Sequence, residues 1–393
     1  MNRSRILFFL VSACLVFPLL AGTLLRAADR NTAGAGDDSL HKYLSVFMDV
    51  LTLTRQAHVD KPSLDSLMAG ALDGTTDALD PFSLYVPAKA VEGYAETLSA
   101  GKRQSGLVLL KERGIAYVVA VEQGSPADQA GVKAGDIVTE VNAKSTRLMP
   151  LWEIQEIMAG APGTKVALNI LRIGEPAQAN FELKPFDPPA PSLSDFEGAP
   201  VLRIQTFGPE TARQVSKLLQ NQAWPRGVVV DLRGVSSGDA EFAYATAELF
   251  AAGDLGALQR RQEVLKAYKA GQAPLWKGGK VVVLIDRGTL GPAEVFATVL
   301  HQALKADLVG ERTFGHAGRM GTAQLSSGGR LLYTEAFYTG PDHKLLNEGL
   351  KPDVSVSERT RTYLEKDAPL SELILRRGVR HLLGQEEPAK KAA

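Results

Sequence analysis

The 393-residue chain has a single cysteine, Cys14, near its start, so no disulfide or cysteine-based metal framework is available to the rest of it. Its 44 basic and 44 acidic residues cancel. There is no charge excess of the kind that draws a protein to nucleic acid or to a strongly charged partner. The six histidines are scattered; no HExxH pair occurs, and no phosphate-cradling glycine loop or dinucleotide fingerprint follows a strand-like run. Metal-dependent hydrolysis and nucleotide chemistry are therefore excluded as leading readings, and the expectation is a protein with no metal site and no cofactor.

What the chain does have begins with Arg3 and Arg5, followed by an apolar segment from Ile6 to about Leu25 that Pro18 and Gly22 interrupt. A basic start and an apolar middle read as a secretory signal. The run also approaches the ~20 residues that span a bilayer, so residues 1–28 are read as a signal peptide or a membrane anchor. Either implies export to the periplasm or cell envelope, with membrane contact only through this segment. After a polar stretch, apolar residues recur at helical spacing (Tyr43, Leu44, Phe47, Leu51; Leu64, Leu67, Met68), which predicts a helical region over 40–100.

The most informative stretch is 281–320. Val281 to Ile285 is a continuous branched apolar run, as expected of a strand covered on both faces. A turn at Gly288 and Gly291 follows, then a helix from Pro292 with Glu294 near its positive end, a strand over Ala306–Gly310, and a glycine-rich loop from Thr313 to Gly318. In such a βαβ unit both loops fall at the same sheet edge, where α/β proteins place their sites.

Strand, small-residue turn, Glu, helix, strand, then Thr313-Phe314-Gly315 resembles the core of the carboxyl-terminal processing peptidases, tail-specific serine peptidases that use a Ser-Lys dyad. Laid on that pattern, the nucleophile position is Gly291, the general-base position His316, and a following Gln position Met320. Asp231-Leu232-Arg233 and the next turn resemble the family's oxyanion turn, here Gly234-Val235-Ser236-Ser237-Gly238, which lacks its Pro and the first of its paired glycines. Ser236 and Ser237 read as backbone-bonding turn residues. Leu79 to Tyr85 and Glu348 to Asp353 resemble the family motifs before its PDZ domain and at its end. The resemblance implies an α+β multidomain protein, with a PDZ domain over 104–185 joined by a linker over 186–197 to an α/β peptidase core of the ClpP/crotonase-like type over 198–360. Residues 361–393 read as a C-terminal helix, from Tyr363, and a polar tail.

For the PDZ domain, the resemblance places the peptide carboxylate at Gly106, Leu107 and Val108 and the side-chain pocket at Ile154 and Ile157 or Met158. The partners expected are protein or peptide C-terminal tails, with an active peptidase relative as a further candidate. Since glycine cannot attack a carbonyl, the core is expected to be catalytically inactive. The alternative is a rearranged Thr/Ser-His site, with Thr289 as the fallback hydroxyl; it requires a hydroxyl within bonding reach of the His316 ring.

Overall fold

The computed structural model describes residues 39–99, 104–220, 224–357 and 368–385. The signal or anchor segment, the polar tail from 386 and residues 358–367 lie outside them. Residues up to Leu72 form one compact unit and those from Asp73 onward another. The first contains the helix over 39–57 and the start of the helix Leu64–Asp77. Among the described residues no helix is long and apolar enough to cross a membrane.

In the second unit the PDZ domain is a sheet ordered Leu107–Glu112, Ile115–Val121, Ile137–Val141, Lys165–Arg172, Glu175–Glu182, all antiparallel. Two short helices, Pro126–Gln129 and Leu151–Met158, complete it. The first starts where the sequence dictates: Ser125 accepts a hydrogen bond from the Asp128 amide and Pro126 occupies the first turn. Alternate strand residues point inward, so Val118, Val138, Val141, Val166, Leu168 and Ile170 meet Ile154 and Met158 of the second helix in one core.

The peptidase-like core is built on a six-stranded sheet ordered Val354–Ser355, Asp307–Gly310, Val281–Ile285, Val228–Asp231, Ala199–Arg203, Ser192–Phe196. The first five strands are parallel and the last antiparallel. Both faces are covered, which is why the central strands carry no polar alternation. Val281, Val283 and Ile285 pack with the helix Pro292–Leu304 on one side. Val282 and Leu284 pack with the helix Leu370–Leu383 on the other. Phe296 of the first helix is fully buried, contributing about 1.5–3 kcal/mol by its removal from water. A second sheet, Leu84–Val86, Arg330–Tyr338, Asp254–Arg260, Glu263–Lys269, with Gly318–Gln324 beside Arg330–Tyr338, closes the unit.

Several elements differ from the sequence reading. The linker is shorter than 186–197, because Ser192–Phe196 pairs with Ala199–Arg203 as an edge strand; no proline falls within Ser192–Phe196 itself, and Pro200 of its partner stands opposite Asp195. The charged stretch 259–270 belongs to a β-hairpin whose exposed face is rich in Lys and Glu, which hides its strand character. The final helix is described over Leu370–Leu383, directly after Pro369; the expected start at Tyr363 lies outside the described residues. Met320, read as following a loop, lies in the strand Gly318–Gln324.

Candidate peptide-binding cleft

Because Val228–Asp231 and Val281–Ile285 are parallel neighbours, the turns that follow them emerge side by side. They are tied together: the Leu290 amide donates to the Val235 carbonyl at 2.9 Å, and the Gly234 amide to Asp286 Oδ1 at 2.8 Å. Thr289 Oγ1 donates to the Leu232 carbonyl at 3.0 Å. Beneath them Asp231 is buried between Arg203 and Arg233, at 2.9 and 2.6 Å. Burial pushes the Asp231 carboxyl up, but the two guanidinium groups more than offset this and leave it below the usual range. Asp286, half-buried, is pushed up by its desolvation.

Thr289 is not a displaced nucleophile. It is fully buried, and its hydroxyl is committed to Leu232 and Asp286 while accepting the Asp286 amide at 3.0 Å. It shapes the turn.

Glu294 ties the two turns to each other. Its carboxylate, 1 % exposed, accepts hydrogen bonds from the amides of Gly291 (3.0 Å), Gly315 (2.7 Å) and His316 (3.1 Å), and from the Thr313 hydroxyl. Burial pushes its pKa up to about 7 against the pull of those four donors. The nucleophile and base positions are thus clamped side by side through their backbones.

Gly291 itself has φ 59° and ψ −112°, in the region that only glycine enters without strain. A Cβ built on it would meet nothing nearer than the His316 carbonyl oxygen at 3.9 Å, so the space a side chain would fill is open. Across from it His316 is held by rings: Phe82 at 4.4 Å between centroids and Phe337 at 5.3 Å. Its Nε2 is 3.2 Å from Thr334 Oγ1. Burial pushes the imidazole down, with Asp80 pulling the other way, so His316 is neutral at pH 7. Asp80 is itself desolvated, yet the Ser83 hydroxyl, the Phe82 and Ser83 amides and Thr334 bring its pKa below the usual range. The hydroxyl demanded by a rearranged site therefore exists near the ring, but it belongs to Thr334, whose position does not line the cleft.

In the oxyanion-like turn, Ser237 is 6 % exposed and Gly238 has φ 111°, with its Cα against the Phe207 backbone: a Cβ there would lie 2.1 Å from the Phe207 oxygen. Gly238→Ala is expected to cost about 3 kcal/mol through overlap and backbone strain, seen as a lowered melting temperature. Ser236 lines the cleft, and its Oγ, buried from solvent, has no hydrogen-bond partner among the described residues.

These positions do not form a separate cavity. One space of about 690 Å³ is lined by Ser236, Leu290, Gly291, His316 and Met320 from the core, and by Gly106, Leu107, Val108 and Met158 from the PDZ domain. Ile154 is fully buried in the PDZ core and Ile157 packs against that core; neither lines the space. Gln155, one position on from Ile154, does. The turn joins the PDZ domain through Leu290, which is buried with Leu110 and Val119. Phe82, adjacent in this junction and stacked on His316, was not singled out by sequence reasoning. Its signal was available, since the family motif has His at that position. Among the described residues no group of acidic, histidine or cysteine side chains could hold a metal ion.

Residues 199–356 match the model of peptidase family S41, and residues 117–172 that of a PDZ domain. The chain is 27% identical over 376 residues to the carboxy-terminal processing protease CtpA of Bacillus subtilis (strain 168), covering 90% of this chain and 78% of that protein. It is 28% identical over 306 residues to a probable CtpA-like serine protease of Staphylococcus epidermidis, covering 76% of this chain and 62% of that one. Among solved structures, a photosystem II D1 C-terminal processing protease superposes with a TM-score of 0.63 at 22% identity, over 84% of this chain and 96% of that one, a likeness of fold. With a PDZ domain, a matched S41 peptidase core and an architecture in agreement, the chain is similar to the CtpA-type carboxy-terminal processing proteases.

Proposed function

We propose that this protein is an exported pseudopeptidase that binds protein C-terminal tails, in the periplasm or cell envelope, and does not cleave them. One observation carries the reading: Gly291 occupies the nucleophile position, in an open space clamped beside His316, so no side chain there can capture an acyl group. His316, neutral and enclosed by Phe82 and Phe337, retains the shape of a base, but the hydroxyl bonded to its ring is that of Thr334, outside the lining of the cleft. Tail recognition rests on the PDZ side of the same cavity and on the relatives' names as carboxy-terminal processing proteases. An active relative is a partner it could compete with or regulate. Purified protein incubated with an unfolded substrate bearing an apolar C-terminus should bind it and leave its length unchanged by mass spectrometry. Cleavage lost on Ser236→Ala or His316→Ala would overturn the pseudopeptidase reading.

A second reading, weak peptidase activity from Ser236, is favoured by its unpartnered Oγ in the lining of the cleft. It requires that a mechanism-based serine inhibitor become attached to Ser236.

A further inference from the structure

Two strands border the cavity in different ways. Leu107, Val108 and Leu109 line it as consecutive residues. Among the described residues their strand ends the PDZ sheet and pairs only with Ile115–Val121, which leaves its other edge open to a further strand. From the core strand Gly318–Gln324, by contrast, the lining residues are Gly318, Met320 and Thr322, every second position. Side chains alternate between faces of a strand, so this strand offers a face. The intervening residues turn the other way: Arg319 pairs with Glu335 at 2.6 Å, and a Cβ on Gly321 would meet the Glu335 side chain at 3.0 Å.

We infer that the vacant peptidase cleft is a side-chain subsite of the PDZ groove: an extended peptide adds to the Leu107–Leu109 edge and rests apolar side chains on the Gly318, Met320 and Thr322 face. The inference rests on the tail-binding reading and specifies the ligand. Backbone hydrogen bonds to the edge supply affinity without regard to sequence, and alternate side chains are read by the facing surface. Gly318 has no room for a side chain, since a Cβ would lie 2.7 Å from Thr334 Cγ2 and 2.9 Å from His316 Nε2, so the floor dips at that point. Met320 is 39 % exposed, and its sulfur accepts only a long contact from Thr334 Oγ1 at 3.6 Å. An unbranched, polarisable thioether adapts to varied apolar partners. The remaining walls are largely apolar, with Leu84, Leu290, Leu332 and Met158. A strand edge facing such a floor selects an extended segment with alternating apolar residues, not a helix. Met320, where the family pattern has a polar Gln, is thereby a specificity-determining residue.

The test uses the full chain and fluorescein-labelled decapeptides whose last six residues alternate Val and Thr, measured by fluorescence anisotropy. Met320→Asp should weaken binding at least about tenfold, since a carboxylate replaces an apolar floor, while Met320→Leu should leave it within about threefold. N-methylation of alternate peptide amides should weaken binding at least tenfold in one register and much less in the other, because only one set of amides faces the edge. A peptide that binds but is indifferent to Met320→Asp and to N-methylation would overturn the composite site and leave tail binding standing. Failure of every tail peptide to bind would remove both. Unchanged melting temperatures for the Met320 variants show that the readout is recognition rather than folding.

Discussion

Gly291→Ser combined with His316→Lys and Met320→Gln is expected to yield a folded protein that still cleaves unfolded substrates at least about a hundredfold more slowly than an active relative. Space does not forbid the serine, because its Cβ would stand 3.9 Å from the nearest atom outside its chain neighbours. The backbone angle exacts about 1–3 kcal/mol of strain from any side chain there, and Glu294 still holds the two positions together. A lysine in place of His316 would be desolvated beside Phe82, which lowers its pKa and favours the free amine a base requires. The deficit lies in the other turn. Ser236-Ser237 stands where the family pattern has Pro and Gly, so the turn that would supply the backbone donors differs from the family's in two successive residues. Loss of a single oxyanion donor commonly costs about 10²–10³ in rate. Single-turnover cleavage by the triple variant measures it; a rate equal to an active relative's would show the altered turn to be irrelevant.

Glu294→Ala should be the most destabilising single change in the core. It strips the partner from three amides and a hydroxyl that are buried or partly buried, at about 3–5 kcal/mol. Its titration gives a second, independent signature. The folded pKa of about 7 lies above the 4.5 of a free glutamate, so the folded state binds the proton more tightly than the unfolded one. This group's contribution is therefore most favourable below about pH 4.5 and is lost as the pH rises toward 7, by about 3 kcal/mol in total. Glu294→Gln keeps the shape and one acceptor but cannot titrate. The difference in unfolding free energy between wild type and Glu294→Gln, followed by urea denaturation from pH 4 to 8, should slope across that window. A flat difference would mean that the four donors hold the carboxylate ionised throughout.

Much of the fold could be read in advance because its signals are local. The continuous apolar run Val281–Ile285, the Pro292 and Glu294 helix start, and the Gly124-Ser125-Pro126-Ala127 helix entry each follow from backbone preferences within a few residues. The hairpin over 254–269 did not announce itself, since only pairing with Arg330–Tyr338 makes a Lys- and Glu-rich segment a strand. The PDZ pocket showed a similar limit. Periodicity marks Ile154 and Met158 as apolar positions of one helix, but which side chain turns to the core and which to the groove depends on what packs against that helix.

That position 291 carries no side chain was fixed by covalent structure, and the flanking Glu294 and Thr313-Phe314-Gly315 locate it. Tertiary structure alone decided what became of the space. The Leu107–Leu109 edge borders one cavity with the Gly291 turn and the Gly318–Thr322 face, both more than a hundred residues further along the chain, because Leu290 packs into the PDZ domain. Such contacts arise from buried apolar surface between distant elements, which carries no period or motif along the chain.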